Sequence, residues 1–544
     1  MAQQFRNIKG TTVSPLEVET DDSPYSSTIA TALRPSKTTN NTEIDTTWSP
    51  SGKWYKDFLH FSGPGWLVSI AYVDPGNYQA NIQAGALSQY SLLSIIWWTS
   101  VLSLYVQILC VRLAHYGGLS LSEAQAKYSP SARMRVLNWF IAEFSTMITD
   151  LPEVIGIGIA FNIFFNWPYW VGVLLSLLTT MVFLFTANYG IRYLEAIIAM
   201  FVGIMGIAIF VELDHIGADS NAVMRGWTIG VFDLGREDMF SILGVIGAVV
   251  MPHNLYLHSG ACTSRRVREE HAEKAVFWSS IEPILPFSFS YFINLAVVCI
   301  AAESVYNADD GKDHSEIGLT DFCTYFKKIA GCALWGIALL ASGQSSAITT
   351  TYTGQYVMDG FLNLQLSVRA RAIITRLVAI LPCILTSILF PTQLNQMVNI
   401  VNALLSFLLP FAFTPLVKFN CSEVVMGQHA SKGWEKTMLF SFAFAVYLIN
   451  AVGLSLDGGG FFGEWRSRGR DNEQDAPSTG MRWFMLVLEI SVQVLYAWWN
   501  WNCIRSEIKH EAIPSSNITE EATIQSGDRV MLPVSPGIDE REIL

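Results

Sequence analysis

Two short stretches of this sequence put polar chemistry inside apolar runs of membrane-span length. Residues 69–82 read SIAYVDPGNYQANI, and residues 247–259 read GAVVMPHNLYLHS. An ionisable side chain at the centre of a span costs about 2.5–3.5 kcal/mol on insertion scales. Proline removes one amide donor and frees the carbonyl one turn earlier. Non-helical backbone at membrane depth persists only where it is buried in protein or lines a polar cavity. Freed carbonyls are natural cation ligands. Beside them stand a carboxylate (Asp74), an amide oxygen (Asn77) and a thioether (Met251). Mg2+ and Ca2+ prefer all-oxygen shells, whereas a soft thioether donor favours later first-row metals. The set points to a site for Mn2+, Fe2+ or similar divalent ions.

The plainer reading of either stretch alone is a proline kink, and of Met251 alone a core filler. Both elements, however, carry proline followed two residues later by asparagine (Asp74-Pro75-Gly76-Asn77 and Met251-Pro252-His253-Asn254). They lie within the first and sixth spans, an odd five spans apart, so the second half of the chain enters the membrane from the opposite side. Interrupted helices at matching positions of inverted repeats mark the binding site of secondary transporters.

A second set of residues can carry protons. His253 and His258 lie in the sixth span, and histidine changes charge near neutral pH. Asp150 and Glu153 are three apart in the third span and share a helix face. Arg371, in RARAIITR at the start of the ninth span, is a candidate partner for them. The plain alternatives are a buried salt bridge for the acids and a hydrogen-bonded core histidine for His258.

The elements that must position these groups are apolar. The chain is 51% hydrophobic and only 15% charged, against about a quarter charged in a soluble protein. Twelve candidate spans fall near 62–87, 91–112, 136–165, 168–188, 192–213, 239–261, 275–302, 329–355, 372–391, 396–418, 434–456 and 482–503. An all-α polytopic membrane protein is therefore expected. Lys and Arg are denser in the loops that face inward when the N-terminus is cytoplasmic, which puts both tails inside. The formal charge of −12 sits largely in tails and loops and does not suggest a nucleic-acid partner. Residues 1–55 and 504–544 read as polar tails, without a signal-peptide pattern at the start. Their sequons at Asn40 and Asn517, with Asn420, would face the cytosol unused. The eight cysteines show no CxxC spacing; a disulfide framework or structural zinc is not expected, and pairing of Cys323 with Cys332 is left open.

Rival classes lack their signatures. There is no HExxH for a metalloenzyme and no GxxxxGK[ST] loop for an ATP-driven pump, so neither an enzyme nor an ATP partner is expected. A channel would need weak multi-site binding along an open pore. A carrier of organic carboxylates would meet repulsion from Asp74.

The segments GPGWLVSIAYVDPGNYQANIQAGA and GAVVMPHNLYLHS resemble the two signature segments of the Nramp family, proton-coupled divalent metal transporters. TDLPEVIGIGIAFN in the third span and GQSSAITTTYTGQYVMDGF in the eighth are similar to further family segments. The resemblance runs from about residue 60 to residue 420. It implies a leucine-transporter-like fold: two inverted five-helix repeats (56–213 and 214–420) plus two added spans (421–503), with helices 1 and 6 broken. It implies metal ligation by Asp74, Asn77, Met251 and the carbonyl of Ala248, with the carbonyl of Ala71 joining in some states and Asn402 reaching the ion after closure. It implies a proton route through Asp74, Asp150, Glu153 and Arg371, with His253 in support, His258 nearby and Glu143 in the same network. Related carriers of magnesium or aluminium lack the methionine, so Met251 argues for transition metals. No cofactor is implied; metal and protons are cargo. Thr350 stands where the family usually has glycine, a change expected to act on loop geometry. The final DEREIL resembles an acidic dileucine sorting signal, which leaves the plasma membrane and endosomal or vacuolar membranes open. Nothing indicates an oligomeric state.

Overall fold

The computed structural model describes residues 48–186, 203, 206–207, 209–265, 267–308, 314, 317–326, 331–363, 368–456, 462 and 479–508. Most of both tails, the greater part of the fifth expected span, Asn40, Asn517 and DEREIL lie outside them.

Among the described residues the fold is helical. Eight helical stretches are long and apolar enough to cross a membrane, and shorter or broken helices occupy the first, fourth and ninth expected positions. The first span divides into α1 (Pro64–Ile70) and α2 (Pro75–Ser88). Behind it come α3 (Leu93–Tyr116), the short α4 (Leu121–Lys127), α5 (Ala132–Phe165) and α6 (Tyr169–Thr186). The sixth span divides into α7 (Met239–Val249) and α8 (Pro252–Thr263). The seventh is α9 (Ala272–Ile281) running into α10 (Ile284–Ala301), interrupted at Glu282-Pro283. Then follow α11 (Gly331–Leu362), α12 (Val368–Leu389), α13 (Leu394–Leu408), α14 (Pro410–Asn420), α15 (Gly433–Ser455) and α16 (Thr479–Arg505).

Burial sorts these helices. Every residue of α2 from Pro75 to Ala86 is buried, as is α8 from Pro252 to Cys262. By contrast α15 and α16 expose Phe444, Leu448, Trp483, Phe484 and Leu495, an apolar surface that water would not tolerate over this extent and that lipid would cover. The polar, broken helices thus form the centre, and α15 and α16 lie at the rim.

Glycines let the central helices touch. A Cβ on Gly247 of α7 would sit 1.8 Å from the Asn402 carbonyl oxygen and 2.6 Å from Ser406 N of α13. A Cβ on Gly156 of α5 would sit 2.5 Å from Pro75 Cγ. Both neighbours are backbone or ring atoms with little room to move.

Polar bonds hold the two ends of the broken first span. At its start the Glu282 carboxylate accepts from Gly63 N (2.5 Å), Gly65 N (3.1 Å) and Trp66 N (3.3 Å), capping α1 with negative charge where the helix dipole favours it. Arg265 donates to the carbonyls of Phe61 and Ser62. Toward the other end, Gln79 of α2 accepts from Leu319 N (2.9 Å) in the segment before α11. That segment is tied to α11 by a Cys323–Cys332 disulfide, which resolves the pairing that spacing left open.

Gly247→Ala should lower the unfolding temperature of the purified protein, an overpacking cost of about 1–3 kcal/mol or more. Gly244→Ala, one turn earlier with nothing within 4 Å of its Cβ position, should leave it unchanged. Equal effects would contradict the close approach of α7 and α13.

Candidate metal site

The two breaks are built alike. Asp74 and Met251 are N-cap residues in extended conformation, each followed by proline at the first helical position, where its missing N–H costs nothing. Four residues before Pro75 is Ala71, and four before Pro252 is Ala248. Their carbonyls are the ones each proline deprives of a helical donor. Both residues are fully buried, and Met251 is 1% exposed.

At the first break the Asp74 carboxylate caps α2, accepting from Asn77 N (2.7 Å) and from Asn77 Nδ2 (2.9 Å). A carboxylate only accepts, so the amide nitrogen of Asn77 must face it. That turns Asn77 Oδ1 away, and this buried oxygen has no hydrogen-bond donor. Asn402, on α13, repeats the arrangement: its Nδ2 donates to the Gly76 carbonyl (2.8 Å), and its buried Oδ1 has no donor. A Cβ on Gly76 would lie 3.0 Å from Asn402 Oδ1 and 3.6 Å from each Asp74 carboxylate oxygen. Gly76 therefore keeps open the space between these groups. Asn402 meets both broken helices, its side chain at Gly76 and its backbone at Gly247. Among the described residues, no group of three or more His, Cys, Asp or Glu side chains is placed to hold a metal; this set mixes one carboxylate with amides, carbonyls and a thioether.

α5 runs beside both breaks. Gly156 meets Pro75, and Thr149 Oγ1 lies 3.3 Å from His253 Nδ1. His253 Nε2 is buried without a hydrogen-bond partner. His258 belongs to another polar chain: its Nδ1 lies 2.8 Å from Gln107 Oε1, and Gln107 Nε2 donates to Tyr72 OH (2.9 Å) at the first break. Glu143 is buried two turns before Asp150 on α5.

Asp150 and Glu153 form a buried cluster with an arginine, but that arginine is Arg376. Its Nη2 lies 3.0 Å from Glu153 Oε2 and 3.7 Å from Asp150 Oδ1. The side chain of Arg371 lies outside the described residues. Both arginines start the same helix five positions apart, about 140° around it, and sequence alone does not say which face docks. Two hydroxyls of α11 join the cluster: Ser346 Oγ donates to Glu153 Oε1 (2.5 Å) and Thr350 Oγ1 to Asp150 Oδ1 (2.5 Å). Thr350 was expected to act on loop geometry; it sits inside α11 instead.

A membrane fold with two broken helices facing each other across a buried polar centre defines a secondary-transporter architecture. Comparison with known proteins specifies the class. The sequence pattern described as "Natural resistance-associated macrophage protein-like" matches residues 65–456. "Metal transporter Nramp3" of Oryza sativa subsp. japonica is 38% identical over 400 residues, 72% of each chain. "Natural resistance-associated macrophage protein 1" of Sus scrofa is 36% identical over 421 residues, covering 72% of this chain and 78% of that one. Among solved structures, an Eremococcus coleocola manganese transporter is 26% identical with a TM-score of 0.71, covering 85% of this chain and 98% of that one. The chain belongs to the Nramp family. It is a multi-pass membrane protein of leucine-transporter-like fold and a transporter of divalent metal ions.

Arg376→Met should be strongly destabilising, since removing one partner of a buried ion pair costs about 3–5 kcal/mol. Neutralising the acids in the same chain (Asp150→Asn with Glu153→Gln) should restore much of the lost thermal stability. An undiminished deficit in the triple variant would show that Arg376 acts through packing rather than charge.

Proposed function

We propose that the protein imports divalent transition metal ions, Mn2+ and Fe2+ foremost and Cd2+, Co2+ or Zn2+ among further candidates, into the cytoplasm, coupled to protons, by alternating access. The observation that carries this reading is the pair of buried, donorless oxygens on Asn77 and Asn402 beside the Asp74 carboxylate. A buried unsatisfied acceptor costs about 1–3 kcal/mol; a cation held beside them and the Asp74 carboxylate offsets that cost. Asp74, Asn77, Met251 and the Ala248 carbonyl form the ligand set, joined by the Ala71 carbonyl and Asn402 as the site opens and closes.

Selectivity rests on the Met251 sulfur. All-oxygen sites suit Mg2+ and Ca2+, and a thioether shifts the preference toward transition metals. Alternating access draws support from the bonds at the two ends of the broken first span. The Glu282 cap with the Arg265 contacts at one end and the Gln79–Leu319 bond toward the other are polar and confined to a few residues. They can be broken in turn while the buried centre stays whole.

Proton coupling rests on Asp74 and the Asp150–Glu153–Arg376 cluster. Metal binds the deprotonated carboxylate, so a proton on Asp74 must leave as the ion arrives. α5 offers the way out, since it touches the site at Pro75 and His253 and carries Asp150 and Glu153. Each positive charge moved inward gains about 2.3 kcal/mol per 100 mV, inside negative. With both tails cytoplasmic, the first span starts inside and the disulfide faces outward, where oxidising conditions preserve it. Residence in the plasma membrane or in an endosomal or vacuolar membrane fits this orientation equally.

In proteoliposomes, Mn2+ uptake should rise as external pH falls; flux indifferent to the proton gradient would remove the coupling. Met251→Ala should retain some Mn2+ flux while losing about tenfold or more of its discrimination against Ca2+ (roughly 1.4 kcal/mol). Unchanged discrimination would remove the thioether's role.

A further inference from the structure

The Asp150–Glu153 pair is short of donors. The two carboxyls flank the same hydroxyl, with Thr350 Oγ1 2.5 Å from Asp150 Oδ1 and 3.5 Å from Glu153 Oε2. Arg376 faces them with a single nitrogen, Nη2; its Nε and Nη1 are buried and make no hydrogen bond. At 3.7 Å its contact with Asp150 is ionic rather than a hydrogen bond. The short bond to Asp150 comes from Thr350.

We propose that Thr350 is a positioning residue that sets the proton affinity of Asp150, and so the pH range over which transport responds to protons. The inference rests on the proton route proposed above and assigns a chain-specific control to it. A hydroxyl that donates to a carboxylate favours its charged form. When Asp150 takes up a proton, its remaining carbonyl oxygen is a weaker acceptor and the Thr350 hydrogen is free to turn elsewhere. Three other acceptors are in range of Thr350 Oγ1: the Ala347 carbonyl (3.1 Å), the Ser346 carbonyl (3.2 Å) and Glu153 Oε2 (3.5 Å). The hydroxyl can therefore serve the charged aspartate and still be satisfied when the aspartate is neutral, through the back-bond to its own helix that threonine readily makes. A valine has the same shape and offers neither arrangement.

Other ionisable groups face the cluster from each packed element. α5 contributes Asp150, Glu153 and, two turns away, Glu143. α12 contributes Arg376 and the buried Cys383, whose thiol lies 3.7 Å from the Leu151 carbonyl. α8 contributes His253, linked through Thr149 next to Asp150. None of these changes when Thr350 does, so a shift that follows the hydroxyl isolates it.

The test is initial Mn2+ uptake by the full-length protein in proteoliposomes at clamped potential, over roughly pH 5 to 8. Thr350→Val should move the midpoint of the pH profile upward by about one unit, a tenfold gain in proton affinity. Thr350→Ser should keep the wild-type midpoint, and Thr350→Ala should shift with valine, which covers poor folding of the valine protein. A Thr350→Val profile that superposes on wild type while Asp150→Asn is displaced would overturn this inference alone. A Thr350→Ser shift as large as that of valine would overturn it too. If neither Thr350→Val nor Asp150→Asn moves the profile, the proton route fails and this inference with it.

Discussion

The structure turns on two backbone hydrogen bonds that cannot form. Pro75 and Pro252 each lack the amide that a helix would aim at the carbonyl of Ala71 or Ala248. In a bilayer there is no water to repair that loss. The chain therefore has to bury both breaks inside protein and supply polar groups for them. This explains why α2 and α8, the least apolar of the membrane helices, are also the most buried. It explains as well why glycines at 76, 156 and 247 stand where helices press against the breaks. The helices with many large exposed apolar side chains, α15 and α16, are left for the rim.

Once the breaks are central, Asp74 takes on two roles. As N-cap of α2 it satisfies the free amide of Asn77 and fixes the side chain of that residue. The same bonds turn the oxygen of Asn77 away from the aspartate, so the capping interaction prepares an acceptor. Asn402 does this from the opposite helix by donating to Gly76. Structure and proposed chemistry thus share bonds, and a substitution at Asp74 or Gly76 disturbs both. The second polar centre is separate in its bonding but lies on the same scaffold. α5 presses on Pro75, reaches His253 through Thr149 and presents Asp150 and Glu153 to Arg376.

Much of this was legible in the sequence because it rests on local rules. Long apolar runs located most of the described helices from Leu93–Tyr116 to Thr479–Arg505 within a few residues, since bilayer thickness sets span length; the eighth, Gly331–Leu362, runs about two turns past its expected end. Proline located both breaks. The short α4 was passed over, although Ser120 and Glu123 form a capping box around its start. What depended on docking was less legible. Periodicity could not tell which arginine of α12 turns inward; Arg376 is seen to meet Glu153. The place of Thr350 within α11, against Asp150, also required the packing of two helices far apart in sequence. Asn402 was the converse case: a transfer from family resemblance that geometry sets directly against Gly76. The disulfide could not be read from the nine-residue spacing of Cys323 and Cys332.

The central claim is that the breaks of the first and sixth spans together hold the transported ion. Anomalous scattering from crystals of the protein equilibrated with Mn2+ tests it most directly. The account predicts one dominant peak bounded by the Asp74 carboxylate, Asn77 Oδ1 and Met251 Sδ, and its loss in Asp74→Ala. A dominant peak elsewhere, such as among Asp150, Glu153 and Thr350, with none between the breaks, would contradict it.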